Sequence, residues 1–171
     1  MIKYPLTYNP IIEYYSKIDS GHIVTSQKVT RIYKYLVDEM SNVDSEYEYS
    51  AKRANHAIEF IENFCKHSKG TFGGKNIELE LWQKAFIAAS FGFVHKIDGT
   101  RKYREILLVV ARKNGKSTIA SGIGLYLQVA DGEPGAKIYA VATKKDQSKL
   151  VWTDAKRMVT KSPALRKLIK P

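Results

Sequence analysis

The chain has 171 residues, enough for one good-sized domain or two small ones, and 44% of them are hydrophobic, which is typical of a protein that buries a core. Lys and Arg outnumber Asp and Glu by 28 to 17, so the net charge of +11 suggests a polyanionic partner such as nucleic acid. Cys65 is the only cysteine, which excludes an internal disulfide and indicates a reducing cytoplasm with Cys65 in the core. The sequence has neither an apolar run of roughly 18 residues nor a signal peptide core, which predicts a soluble, non-membrane protein.

The first third of the chain predicts three helices. Asn9 and Pro10 form a cap and first-turn pair and Gly21 forms a stop, so they bracket a short first helix. Thr25 or Ser26 would cap the second helix. The second and third helices are indicated by apolar stripes at Val29, Ile32, Tyr33, Leu36, Val37 and Met40, and at Ala54, Ala57, Ile58, Ile61, Phe64 and Cys65.

A glycine-rich stretch at residues 70–74 predicts a domain boundary, with a helical region at 1–72 and a second domain at 73–171. A fourth helix follows, because apolar residues recur at helical spacing at Leu79, Trp82, Phe86 and Ala89. Residues 97–100 then predict a turn of a hairpin, whose second strand is the buried apolar run 106–111.

The order from residue 103 onward is strand, helix, strand, helix. A helix with apolar residues at Ile119, Ala120, Ile123 and Leu127 is followed by a second apolar run at 136–142. A last helical stripe runs from Leu150 to Val159 and ends at Ser162 and Pro163. Such alternation predicts an α/β fold with a parallel sheet and right-handed crossovers, preceded by the helical region.

A loop centred on Asn114, Gly115, Lys116 and Ser117 joins the run 106–111 to the next helix. A buried strand that ends in Gly-Lys-Ser and turns into a helix aims backbone N–H groups and the positive helix end at one point, which favours a phosphate. Lys116 would reach the β- and γ-phosphates of ATP, and the Ser117 hydroxyl would ligate Mg²⁺. The four histidines show no ligand spacing, so Mg²⁺ brought by ATP is the predicted metal.

The loop departs from the usual phosphate loop at its first position. The usual opening glycine falls here on Val110, so the first turn follows a different backbone path. Arg112 and Lys113 lie inside the loop, where they could surround the γ-phosphate, reach a neighbouring subunit or simply be solvated. Thr118 completes the segment that we expect to contact nucleotide.

The segment from Leu108 to Thr118 resembles the deviant Walker A loop of the large terminase subunits of tailed bacteriophages, which also replace the first glycine and carry basic residues inside the loop. Upstream, residues 79–84 resemble that family's Leu-x-x-Trp-Gln element, so the resemblance implies that Gln83 contacts adenine. The alternative is that Gln83 is simply a surface residue without a ligand. Downstream, residues 138–147 resemble the family's second strand and its Ala-Thr-x-x-x-Gln segment, in which Thr143 and Asp146 could form a capping box or sense nucleotide.

The resemblance implies a P-loop NTPase within an ATP-driven motor and endonuclease that packages double-stranded DNA into procapsids. The implied partners are a small terminase subunit, a portal protein and further copies in a ring, in the cytoplasm of the bacterial host. Arg112 and Arg157 are candidates for an arginine that reaches a neighbouring subunit. No apolar strand ending in acidic residues follows the loop, so we expect an N-terminal piece that binds ATP without efficient hydrolysis on its own.

Two other readings remain open from the sequence. One is a different DNA-dependent phosphate-loop ATPase, such as a helicase-like protein, which shares the loop but does not require Trp82 and Gln83 upstream. The other is a basic nucleic-acid-binding module with a vestigial phosphate loop, in which the helical first third binds the nucleic acid.

Overall fold

The computed structural model describes residues 3–169, which form two compact units. The first unit comprises the described residues up to 58 together with 79–107, and the second comprises 59–78 together with the described residues from 108 onward. The third helix contributes its N-terminal half to the first unit and its C-terminal end to the second. The two units are not the two predicted domains, so the predicted domain boundary near residue 72 stays a prediction.

The first unit contains four helical segments and two short strands. They are α1 (Pro10–Asp19), α2 (Gln27–Met40), β1 (Tyr47–Tyr49), the first half of α3 (Ala51–Phe64), α4 (Leu81–Gly92) and β2 (Phe93–His95). Asn9 caps α1 as predicted, because its Oδ1 accepts hydrogen bonds from the backbone N–H groups of Ile11 and Ile12 at 3.0 and 3.3 Å. Ser26 is the cap of α2. The helices predicted from apolar periodicity are therefore confirmed in this unit.

A small apolar core holds α1 against α4. Tyr14 and Ile18 of α1 pack with Ala85 of α4, and Val29 and Tyr33 of α2 cover the same cluster. The rings of Tyr14 and Tyr33 meet edge to face with centroids 4.7 Å apart, an arrangement that aromatic pairs prefer. This packing fixes the first turn of α4, which carries Gln83.

The two strands pair antiparallel, with Tyr47 opposite His95 and Tyr49 opposite Phe93. The predicted turn follows β2, since the backbone N–H of His95 donates to the carbonyl of Thr100 at 2.8 Å. The hairpin closes at an isolated bridge between Val94 and Arg101. The return strand is therefore not the run 106–111, and the hairpin prediction is correct only for its turn.

The second unit combines the end of α3 with α5 (Lys116–Val129), α6 (Lys145–Lys161) and α7 (Pro163–Leu168). Ser121 of α5 donates a hydrogen bond to the carbonyl of Val151 in α6 at 2.8 Å. Ser68, in the loop after α3, donates to the carboxylate of the buried Asp154 at 2.9 Å, which fastens that loop to α6. Cys65 is fully buried, which confirms its predicted place in the core.

The apolar runs 106–111 and 136–142 are not strands, contrary to the prediction. Their side chains are exposed rather than buried, with Leu107 at 87%, Val109 at 81% and Val141 at 90% exposure. A parallel strand is stable only when neighbouring strands take up its backbone hydrogen bonds and helices cover its faces. Within residues 3–169 the only sheet is the two-stranded pair β1–β2, so these runs lack such neighbours.

Candidate functional site

The loop of residues 110–117, called here the Gly-Lys loop, enters α5 through two left-handed residues. Gly115 caps α5 with a φ of 73°. Lys113 has a φ of 69° and is the only residue other than glycine with a positive φ in the described part of the chain. A left-handed conformation costs a lysine roughly 1–2 kcal/mol, which the surrounding structure has to offset. Loops of this kind form concave rows of N–H groups that bind anions.

Lys116 is the first residue of α5, and its side chain reaches back over the loop. Its Nζ donates hydrogen bonds to the carbonyls of Val110 and, at 3.1 Å, of Ala111. The ammonium group therefore lies on the loop itself. A phosphate bound at the start of α5 would compete with these two carbonyls for the lysine.

Asn114 braces the loop internally. Its Nδ2 donates to the carbonyls of Ala111 and Arg112 at 3.3 and 3.4 Å. These bonds tie the amide to the carbonyls of the loop, while the first-turn N–H groups of α5 have no partner within the helix. The predicted contact between Asn114 and nucleotide stays a prediction, since the structure assigns its amide to the loop.

The loop carries a concentration of positive charge. Arg112, Lys113 and Lys116 are exposed, and within the described residues none of them forms an ion pair. Ser117 and Thr118 are half-buried in the first turn of α5. Three cations beside a helix N-terminus attract a multiply charged anion, and they attract it more strongly at low ionic strength.

Helix α5 provides a rigid support for the loop. Ile119 in its first turn is only 1% exposed. Gly122 lies so close to Ile61 of α3 that a Cβ at this position would meet the Ile61 side chain at 3.2 Å. The rings of Phe60 and Tyr126 pack edge to face with centroids 5.6 Å apart. These contacts hold the N-terminus of α5, and thus Lys116 and the residues that follow it, in one position.

Gln83 lies in the first unit, whereas the Gly-Lys loop lies in the second. Its Oε1 accepts a hydrogen bond from the backbone N–H of Glu80 at 3.0 Å, which forms a capping box at the start of α4. Gln83 has the residue type that a capping box needs at its third helical position, but Glu80 is not one of the usual N-cap residues, so the sequence signal for this role was only partial. The adenine contact implied by the resemblance stays a prediction.

The segment before α6 differs from one expectation. Lys144 is the N-cap of α6 and no side chain caps it, so Thr143 and Asp146 do not form the predicted capping box. The box fails because the helix begins one residue later than it requires, which places Asp146 inside the first turn. Arg157, a candidate for a contact with a neighbouring subunit, lies 3.9 Å from the Asp154 carboxylate through its Nη1.

The match to a protein-family model shows which family this chain belongs to. The model of the terminase large subunit, ATPase domain, matches residues 81–171, which are more than half of the chain. The chain belongs to the terminase large subunit family. The matched region of this terminase chain contains Gln83, the Gly-Lys loop and the helices α5 and α6, and it bears out the resemblance found in the sequence.

The terminase large subunit of Enterobacteria phage HK97 is a relative of the chain. It is 30% identical over 118 residues, which cover 68% of this chain and 22% of the relative. The crystal structure of the HK97 bacteriophage large terminase matches with a TM-score of 0.52 and 30% sequence identity, over 67% of this chain and 22% of that chain. This terminase chain thus spans 22% of the length of the relative that it matches.

Sequence reasoning missed three features of the site. The carbonyls of Val110 and Ala111 hold Lys116, and Lys113 adopts a left-handed backbone. Backbone carbonyls carry no residue signature, and a left-handed lysine is rare enough that no sequence pattern indicates it. The third feature is the capping role of Gln83, for which the sequence contained only a partial signal, because Glu80 is not a usual N-cap residue.

Proposed function

We propose that this chain is the ATP-binding part of a terminase large subunit, which uses ATP hydrolysis to move double-stranded DNA into a procapsid. One observation carries the proposal. The Gly-Lys loop, with its left-handed residues Lys113 and Gly115 and the ammonium of Lys116 over the loop, opens α5 within the region that matches the ATPase family model. The net charge of +11 supports a polyanionic substrate.

The residues of the loop fit a triphosphate with Mg²⁺. Lys116 would exchange its two carbonyl partners for phosphate oxygens, since an ammonium is attracted more strongly by a negatively charged oxygen than by a neutral carbonyl. The first-turn N–H groups of α5 would bind the β-phosphate, and the hydroxyl of Ser117 would ligate the metal. Arg112 and Lys113 would surround the γ-phosphate or, for Arg112, act on a neighbouring subunit. When bound, MgATP supplies the phosphoryl group whose transfer to water drives the motor.

The same proposal includes a P-loop NTPase fold that begins near residue 73. In the full-length protein the runs 106–111 and 136–142 would be strands of one parallel sheet, with α5 and α6 as flanking helices. Their exposed apolar side chains support this, because burying about 100 Å² of apolar surface contributes about 2.5 kcal/mol. Gln83 would contact adenine at the margin of this domain, through an amide that the capping box already orients.

The remaining parts of the proposal concern the assembled motor. Its partners would be double-stranded DNA, a small terminase subunit, a portal protein and further copies in a ring, with an endonuclease in the rest of the large subunit. The relative from phage HK97 supports a phage protein that acts in the cytoplasm of a bacterial host. Among the described residues no helix is long and apolar enough to cross a membrane.

The test is nucleotide binding by the chain and by a charge-matched pair of variants. We expect MgATP to bind the unaltered chain in a calorimetric titration, and Lys116→Ala to weaken binding about ten- to hundredfold, because a hydrogen bond to a charged group contributes roughly 1.5–3 kcal/mol. Lys28→Ala removes an exposed lysine of α2 and should leave the affinity unchanged.

Two results would contradict the proposal. The first is equal ATP affinity of the Lys116→Ala variant and the unaltered chain. The second concerns turnover, which we expect to be negligible for this chain alone, so Lys116-dependent phosphate release at about 1 per second would show a complete catalytic site.

A further inference from the structure

Helix α6 carries a stripe of three lysines and one tryptophan on its exposed side, called here the α6 stripe. Its members are Lys145, Lys149, Trp152 and Lys156, at successive spacings of four, three and four residues. At the helical rotation of 3.6 residues per turn they fall within about 60° of one another, and they extend over about 16 Å. The four side chains therefore form one continuous surface.

The opposite side of α6 explains why this stripe faces water. Met158 is fully buried, and the carboxylate of Asp154 is buried and hydrogen-bonded to Ser68. Asp146, the other carboxylate of α6, lies outside the arc of the stripe by the same helical rotation. The stripe thus presents three positive charges with one carboxylate, Asp146, beside its N-terminal end.

Trp152 is 60% exposed although tryptophan is one of the most apolar side chains. The Nζ of Lys156 lies 5.4 Å from the centroid of its indole ring, a cation–π contact that holds the charge beside the ring. Within the described residues none of the three lysines of the stripe forms an ion pair. An exposed indole with one cation over its ring and further cations beside it suits a ligand that is both flat and anionic.

We infer that the α6 stripe binds single-stranded nucleic acid, with a base stacked on Trp152 and the phosphates along Lys145, Lys149 and Lys156. Charge complementarity selects the phosphate backbone, and the exposed indole selects an unpaired base, because a base within a duplex has both faces covered by its neighbours. This inference rests on the proposed DNA role and adds to the double-stranded substrate a separate surface for an unpaired strand, and it requires no nucleotide in the Gly-Lys loop.

The test compares an oligothymidylate of about 16 nucleotides, the upper end of common binding-site sizes, with a duplex of equal length. Binding is followed by fluorescence anisotropy, and by the indole fluorescence of a Trp82→Phe variant in which Trp152 is the only tryptophan. We expect tighter binding of the single strand and quenching of Trp152. Trp152→Ala should weaken single-strand binding about tenfold, since stacking on one base contributes roughly 1–3 kcal/mol, and Trp152→Phe should retain most of it.

The lysines give a second readout. Lys149→Ala should lower the slope of log affinity against log salt by about 0.7, the value for one phosphate contact of a single strand, whereas Lys28→Ala should leave it unchanged. Lys116→Ala should also leave single-strand binding unchanged, so a failure of the ATP proposal and a failure of this one are separate results.

Three outcomes would overturn the inference. One is equal affinity for the single strand and the duplex with no effect of Trp152→Ala. Another is the absence of nucleic-acid binding at low salt. The third is a change of sedimentation in Trp152→Ala with unchanged DNA affinity, which would make the stripe a protein interface.

Discussion

Two glycines of α5 provide a matched test of how the helix supports the Gly-Lys loop. At Gly122 an added Cβ would meet the Cγ1, Cγ2 and Cδ1 atoms of Ile61 at 3.2 to 3.4 Å, whereas at Gly124 it would meet only the Cγ2 of Ile138, at 3.5 Å. Both positions are helical, so Gly→Ala stabilises either one by about 1 kcal/mol through helix propensity. Overpacking at Gly122 costs about 1–3 kcal/mol in addition.

The two substitutions should therefore change the free energy of unfolding in opposite directions. Gly124→Ala should be more stable than the unaltered chain by about 1 kcal/mol. Gly122→Ala should be less stable by up to about 2 kcal/mol, so the two variants should differ by about 1–3 kcal/mol. Urea unfolding followed by circular dichroism measures both, and equal slopes of the free energy against urea would show that the variants unfold alike.

A double variant locates the cause of the difference. Ile61→Val removes the Cδ1 methyl that lies 3.4 Å from the added Cβ. The double variant should therefore lose less free energy of unfolding than the sum of the losses in the two single variants. Equal stabilisation by Gly122→Ala and Gly124→Ala would refute the packing of α5 on Ile61, and with it the argument that this contact fixes the loop.

The remaining predictions concern two titratable groups. The hydrogen bonds from Lys102 and Ser45 hold the pKa of Glu39 below its ordinary value, so the stability that this carboxylate contributes is present above the unfolded-state pKa of about 4.3 and is lost as the pH falls through the lower folded-state value. Glu39→Gln should therefore flatten the loss of melting temperature on acidification, and an unchanged profile would contradict this network. Burial raises the pKa of the Cys65 thiol to about 12, so at pH 8 a disulfide reagent should label Cys65 only in urea, and rapid labelling of the folded chain would contradict its burial.

The helices could be predicted from the sequence because their information is local. Asn9 and Ser26 mark two helix starts by capping chemistry, and the stripe that includes Leu36 has the helical period. The strands could not be predicted in the same way. β1 has three residues, too few for a period, and the run that includes Leu107 forms a strand only where neighbouring strands take up its hydrogen bonds.

In the candidate site, too, the local features could be predicted and the features that depend on tertiary structure could not. The start of α5 at Gly115 and Lys116 could be predicted, because Gly-Lys-Ser before an apolar helical stripe is typical of a loop that enters a helix, whereas phosphate binding by Gly115, Lys116 and Ser117 stays a prediction. The hydrogen bonds of Lys116 and the left-handed backbone of Lys113 could not, since they depend on the path of the loop in three dimensions. Whether Gln83 approaches the loop is likewise a property of the tertiary structure and not of its sequence spacing.

The position of the Lys116 ammonium sets a threshold for the ligands of the loop. The two carbonyls that hold it are neutral acceptors already in place, so a weakly basic, singly charged ion such as chloride gains little by displacing them. A group with several negative oxygens would gain a full attraction between opposite charges, which is stronger than the attraction between the ammonium and a neutral carbonyl. If the loop binds phosphate as proposed, it would therefore favour ligands of high charge density, whatever base or sugar they carry.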